Sequence, residues 1–354
     1  MTEASDTLVE EVQARFDDLT ILEYEFDNVE IELARKANAL NAPLYKRRAE
    51  VIAKIPHFWA LVFGRAPPEV ETYIQPSDEK AFALYLDTFE VIHFEIDDPK
   101  GSPRSFSLKF GFKENEYFKD KVLEKKFWFR KTSDWEGLVS EPVKIHWKKG
   151  QDMTFGLTDA AYALAQAKKR LPPGNTDKSK ERALPEYKAL ADKIEESEES
   201  SASFFALFGF VSSWRYVSAE ESGKIRQTEA ENLAKVKRGE LVEEPDSDED
   251  NENDEDDDHD YQETEVFPGG DEVAILIAED MWPSAIKYYK RNHDDDDSDD
   301  DDMDDVSVND RANENDDDSD EELDIRALVN KGRKEPTSNS PPMPPPARKK
   351  QRKA

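Results

Sequence analysis

Apolar residues recur at Leu8, Val12, Leu19, Leu22, Phe26, Val29, Leu33 and Leu40, with Arg15 and Lys36 filling the two remaining places of a four-three repeat. This heptad predicts one long helix with a narrow apolar seam, of the coiled-coil kind. About 36 helical residues span roughly 54 Å, further than one small domain readily covers. The seam therefore reads as a surface for dimerisation; the alternative is an amphipathic helix packed on its own domain. Pro43 lacks a backbone donor, which predicts a helix end or kink near Ala42 and a shorter helix over 44–54. Pro56 then breaks the chain before "HFWALVF".

Downstream the period shifts to two. In "FEVIHFEID" (89–97) Ile92, Phe94 and Ile96 share a face, and in "SFSLKFGFK" (105–113) Phe106, Leu108, Phe110 and Phe112 point inward. "EKKFWFRK" (124–131) and "PVKIHWKK" (142–149) are two further strand candidates. Four strands, each with one polar face, predict an antiparallel sheet covered by helices on one side. "SDEKAFALYL" (77–86) reads as a helix capped by Ser77, and "LTDAAYALAQAKKRL" (157–171) and "LPEYKALADKIEE" as two more. "SASFFALFGF" (201–210) is the most apolar decapeptide of the chain. "SAEE" (218–221) is a capping box with Ser218 as cap and Glu221 reaching back; it opens a charged helix to about Arg238. "GDEVAILIAEDMWPSAIKYYK" (270–290) reads as a short apolar helix followed by an aromatic turn after Pro283.

Charge changes the picture of the C-terminal third. Of the net charge of −33 over 354 residues, residues 1–240 carry 43 acids and 36 bases, and residues 241–330 carry 38 acids and 5 bases. Residues 331–354 reverse the sign, with 1 acid and 8 bases. Blocks of like charge stay extended and serve as interaction tails. Such an acidic field disfavours nucleic acid and favours cationic proteins, histones foremost. The tail candidates for that contact are Asp294, Asp295, Asp296, Asp297, Asp299, Asp300, Asp301, Asp302, Asp316, Asp317 and Asp318. Ser247, Ser298 and Ser319 are each followed by acids, the pattern that an acid-directed kinase uses, and a phosphate would deepen the negative field. Arg348, Lys349, Lys350, Arg352 and Lys353 form a short basic cluster of the nuclear-import type.

Candidate chemistry is sparse. There is no cysteine, so disulfides, thiolate zinc sites and cysteine nucleophiles are excluded. The five histidines, His57, His93, His146, His259 and His293, show no metal-ligand spacing, and no phosphate loop or nucleophile elbow occurs. The run 294–305 lacks the glycine and ligand spacing of a high-affinity calcium loop. The N-terminus is acidic, without the apolar run of a signal peptide or membrane anchor. The expectation is a non-enzyme: no catalytic residue, no metal, no cofactor, no sequence-specific DNA recognition, no membrane association. Basic stretches at 121–131 and 144–149 carry aromatics but fall on strand positions, so a solvated sheet face is the reading there.

Several separate stretches together carry a family likeness: "LNAPLYKRRAEVIAKIPHFW", "FKENEYFKDKVLEKKFWF", "VKIHWKKGQDMT", "SASFFALFGF" and "AEDMWPSAIKYY", followed by an acidic tail. In order and spacing the chain resembles the nucleosome assembly protein / SET family of histone chaperones, nearest the SET branch, in a filamentous-fungal form. It departs from the pattern by an insertion at 211–269. The resemblance implies an α+β fold and a homodimer. A long antiparallel helix pair would form its band, with an "earmuff" at each end that has a four-stranded antiparallel sheet covered by helices.

The organisation expected on this basis is as follows. Residues 1–55 form the dimerisation helix and a short following helix, and 56–210 the earmuff. Residues 211–269 are an inserted charged helix and acidic disordered loop. Residues 270–291 are the closing helix of the earmuff, and 292–354 a disordered acidic tail with a basic tip. The resemblance also implies a nuclear protein, with shuttling to the cytoplasm left open. It would bind core histones, either or both core-histone pairs, and assist nucleosome assembly and disassembly without ATP. The alternative implied function is regulation of a chromatin enzyme, by activating a histone acetyltransferase or inhibiting a protein phosphatase.

Overall fold

In the computed structural model the described residues are 3–98, 101–133, 135–172, 178–197, 203–209, 217–238 and 263–290; side chains of the first helix are described from residue 15, with 17 excepted. That helix, α1 (Glu3–Ile52), does not stop at Ala42 but carries Pro43 inside it. An interior proline costs about 3 kcal/mol or more, so something must hold the turns beyond it. Tertiary contacts do so: Ile52 is buried, Tyr45 and Ile55 pack on the core, and Arg48 donates to the carbonyls of Trp282 and Pro283 at 2.7 and 3.2 Å. Pro56 does break the chain, and the short helices α2 (Phe58–Phe63) and α3 (Pro68–Glu71) follow.

The next helix, α4 (Pro76–Tyr85), begins at a proline preceded by Gln75, so Gln75 and not Ser77 is its cap. Its third residue, Asp78, accepts from the Gln75 backbone N–H at 3.0 Å. The same carboxylate accepts from Ser203 Oγ at 2.6 Å and from the Phe204 N–H at 2.7 Å. Burial pushes the Asp78 carboxyl up to about 6, against the pull of those three donors. Asp78 thereby pins the start of Phe204–Phe208 to α4, and these five residues fold as a 3-10 turn rather than a strand or a full helix.

A four-stranded antiparallel meander runs in the order β1 (Leu86–Ile92), β2 (Phe106–Phe112), β3 (Val122–Lys131), β4 (Glu136–Ser140). The inward set on β2 is the one the alternation predicts: Phe106, Leu108, Phe110 and Phe112 are all buried. The fourth strand differs from expectation. It is "EGLVS", pairing Leu138 with Phe129 and Val139 with Trp128. The stretch 142–149 contributes only an isolated bridge between Phe118 and Trp147. Leu138, Val139 and Ser140 are buried in succession, so β4 has none of the alternation that a half-exposed strand shows. On β3 the core face carries Leu123, Lys125 and Phe127. Lys125 is fully buried, donates to the carbonyls of Glu141 and Gly209, and has its pKa lowered well below the ordinary value by burial.

Helices α5 (Leu157–Lys168), α6 (Lys178–Arg182) and α7 (Pro185–Glu196) follow the sheet. Then comes α8 (Ala219–Val236), capped as expected by Ser218 and Glu221. It packs on β3, where Ser222 Oγ accepts from the Lys131 N–H at 3.0 Å and Glu229 pairs with Lys131 at 2.9 Å. The end of the stretch read as an insertion is also structural: Val266 and Phe267 are buried in the core, Tyr73 stacks near Phe267 at 4.6 Å and donates to Pro268 O. The chain then stays helical through α9 (Gly270–Leu276), a π turn (Ile277–Met281) and a final helical segment, 285–290.

Candidate functional site

The seam predicted from the heptad lies open to solvent. Leu19, Leu22, Phe26, Val29, Leu33 and Leu40 are exposed, from 47% at Leu22 to 69% at Phe26. Leu8 and Val12 lie on α1, but their side chains are outside the described set. The structure also lengthens the seam. Leu44 and Val51 are exposed too, and they stand eighteen residues beyond Phe26 and Leu33, about five helical turns, hence on the same face. The strict four-three repeat ends at Leu40, since its next places are Pro43, Arg47 and Glu50, and Leu44 and Val51 stand one residue off it. A contiguous apolar stripe this long on an otherwise charged helix marks a surface that something covers.

Charge is also polarised along α1. Residues 3–29 carry nine acids and one base, while 30–52 carry three acids and five bases. Ion pairs tie the middle of α1 to the sheet domain: Arg104 reaches Glu30 at 3.0 Å and Asp27 at 3.8 Å, and Lys237, just after α8, reaches Glu25 at 3.0 Å. Each exposed pair contributes at most about 1 kcal/mol; together they set where the sheet domain sits along the helix.

The root of α1 is built around Trp282. Its ring stacks on Trp59 at 5.3 Å and 10° and meets Tyr45 at 5.5 Å. The Arg48 guanidinium lies over both the Trp282 ring (4.3 Å) and the Tyr45 ring (4.6 Å), and burial lowers its pKa. Arg48 spends one nitrogen on the Trp282 and Pro283 carbonyls, while its Nε and Nη2 are buried without an acceptor among the described residues. Beside it lies a groove of about 580 Å³ lined by Arg48, Val51, Ile52, Ile55, Phe58, Ile286, Tyr289 and Lys290. Sequence reasoning missed Arg48, and its only signal was a base one turn from the seam's end.

The acidic candidates Asp294, Asp295, Asp296, Asp297, Asp299, Asp300, Asp301, Asp302, Asp316, Asp317 and Asp318 lie outside the described residues. So do Ser247, Ser298 and Ser319 and the basic cluster from Arg348 to Lys353. Of the histidines, His93 Nδ1 lies 3.1 Å from the Pro103 carbonyl, and His146 pairs with Asp120 at 2.8 Å. Among the described residues no group of three or more His, Cys, Asp or Glu side chains converges to hold a metal ion, and no helix is long and apolar enough to cross a membrane. In the basic stretch 121–131, Lys126 sits over the Phe94 ring at 5.0 Å and Trp128 meets Phe94 edge-on at 5.9 Å, a small aromatic cluster on the face of the sheet away from Phe127.

A sequence model of the family described as Nucleosome assembly protein (NAP) matches residues 52–292. A Schizosaccharomyces pombe protein named as a nucleosome assembly protein is 33% identical over 178 residues, 47% of this chain and 66% of its own length. Protein SETSIP of Homo sapiens is 37% identical over 147 residues, 41% of this chain and 46% of its own length. The chain thus spans less than two thirds of either relative. Among solved structures, a crystal structure of Vps75 is similar at 21% identity and a TM-score of 0.47, covering 79% of this chain and 98% of that chain.

Proposed function

The chain belongs to the nucleosome assembly protein family, and from that premise we propose that it is a histone chaperone that works as a homodimer without catalysis or ATP. The observation that carries this reading is the family match itself, which runs from the last residue of α1 through the sheet domain to the closing segment. The mechanism is electrostatic replacement. A histone is held soluble on DNA by phosphates; here the carboxylates of residues 241–330, 38 acids against 5 bases, take the place of those phosphates around it. Binding at equilibrium then lets the histone pass to DNA without a nucleotide. Two copies joined along the α1 seam would present two sheet domains and two tails to one cargo.

The test is binding of purified core-histone pairs to the full chain and to a chain ended after His293. Removal of the tail is expected to weaken binding by about tenfold, ~1.4 kcal/mol, with the difference shrinking as salt screens exposed charge. Absence of saturable binding by the full chain to either core-histone pair would sink the chaperone reading.

A nuclear address fits this role. Replacing Lys349, Lys350, Arg352 and Lys353 by Ala should turn a fluorescent fusion from nuclear to cytoplasmic. Unchanged nuclear accumulation would remove the basic cluster from the import role.

A further inference from the structure

The sheet domain holds α1 at two places. At the root, Tyr45 and Ile52 pack in the core and Arg48 holds the Trp282 and Pro283 carbonyls. About 20 residues earlier, roughly 30 Å along the helix, Arg104 holds Asp27 and Glu30, and Lys237 holds Glu25. Pro43 lies between the two places. It has no N–H to give to the Ala39 carbonyl, and its ring crowds that turn. Sharp bends in helices occur at such residues.

The two attachments differ in kind. The root is buried, and salt screens buried contacts little. The forward attachment is made of ion pairs whose side chains are 37–67% exposed, individually weak and screened by salt. What stiffens it is the mounting of its two cations. Arg104 sits on the loop after β1, where Glu95 accepts from Ser102 N at 3.2 Å and Ser105 Oγ at 2.6 Å. Glu95 is held in turn by two nitrogens of the buried Arg130, each at 2.9 Å, and the Arg104 guanidinium lies over the Phe129 ring at 5.0 Å. Lys237 is carried by α8, which is fixed to Lys131 through Ser222 and Glu229. Arg226 of α8 donates to the Gly101 carbonyl at 3.3 Å and cross-ties the two mountings. Both cations therefore stand on the same end of β3. One mounting, α8, comes from the 211–269 stretch by which this sequence departs from its family pattern.

We propose that Pro43 is a hinge in α1 and that α8 and the Arg104 loop form the latch that holds it closed, through Glu25, Asp27 and Glu30. With the latch closed, α1 is fixed on both sides of the Pro43 turn and keeps one angle to the sheet domain. With the latch screened or removed, the forward part of α1 swings about Pro43 while the root stays seated.

The chain has no cysteine, so spin labels can be placed in chosen pairs on the full chain. Glu23→Cys with Lys121→Cys reports the forward part of α1 against the sheet domain, and Lys54→Cys with Lys121→Cys reports the root side; all three positions are exposed. Labelled chain is diluted into excess unlabelled chain, so that only distances within one chain are read. At low salt both pairs are expected to give one narrow distance. Arg104→Glu with Lys237→Glu should broaden the first distribution about twofold, as a released hinge does, and leave the second unchanged. High salt on the unsubstituted latch should act in the same direction. Adding Pro43→Ala, which restores the missing N–H, should narrow the first distribution again. A first distribution that is broad at low salt without substitution, or that charge reversal or high salt leaves unmoved, overturns the latch. Equal broadening of both pairs, or a first distribution that stays broad with Pro43→Ala, overturns the hinge.

Discussion

A chain cut after Gly269 is expected to aggregate or to melt far below the full chain, whereas a chain cut after His293 keeps its melting temperature. The first cut removes Val273, Ala274, Ile277, Ala278, Met281, Trp282, Ala285 and Tyr288, all buried in the common core. Burying one large aliphatic or aromatic side chain contributes about 1.5–3 kcal/mol, and a domain's whole stability is about 5–15 kcal/mol. The loss is compounded at Trp282, because its removal strips the stacked ring from Trp59 and the edge-on ring from Phe89 and the carbonyl acceptors from Arg48. The last turns of α1 beyond Pro43 lose their anchor at the same time. The second cut removes none of these side chains. Thermal unfolding of the two truncations side by side checks the difference; equal melting temperatures would mean that 270–290 contributes little to the fold.

Replacing Leu22 and Val29 by Asp is expected to convert a two-chain particle to a single chain. Both positions are exposed in the protomer, so the substitutions leave the protomer's own core untouched and the helix content by circular dichroism nearly unchanged. In a paired seam they place four carboxylates in an apolar contact. Each buried, unpartnered charge costs several kcal/mol, which exceeds what the remaining seam contacts supply. Light scattering before and after substitution decides it. A variant that keeps the wild-type mass would show that another surface joins the chains.

The long helix, the inward face of β2, the α8 cap and the apolar closing segment were legible in the sequence because each follows from neighbours in the chain. By contrast, β1 turns Leu86 and Phe89 inward, ends at an exposed Ile92 and leaves Phe94 and Ile96 outside the strand, not the face expected from 92, 94 and 96. A heptad, a period of two or a Ser-x-x-Glu box acts over one to three turns or one strand, and its signal survives whatever the rest of the protein does. The exposed seam from Leu19 to Leu40 belongs to the same class. So does the acidic character of 241–330, since charge density needs no fold to be read.

Tertiary structure alone decided the rest, and in each case the decisive partner is distant in sequence. Pro43 predicts a break, but α1 continues because Arg48, 234 residues from Trp282, is clamped there. Lys125 sits on the core face of β3 because two backbone carbonyls, one of them 84 residues away at Gly209, meet its ammonium. β4 falls on "EGLVS" rather than 142–149 because a strand covered on both sides loses its alternation. Gln75 takes the cap of α4 from Ser77 for a local reason, Pro76 at the first helical position, but that its Asp78 can be buried depends on the donors at Ser203 and Phe204, the latter 126 residues on. The insertion gives Val266 and Phe267 to the core because Tyr73 and the helices around it leave a place for them. Local pattern determines which elements form; burial against remote partners determines where they end and which polar group is allowed inside, since a buried charge or a proline in a helix survives only where the assembled fold offsets its cost.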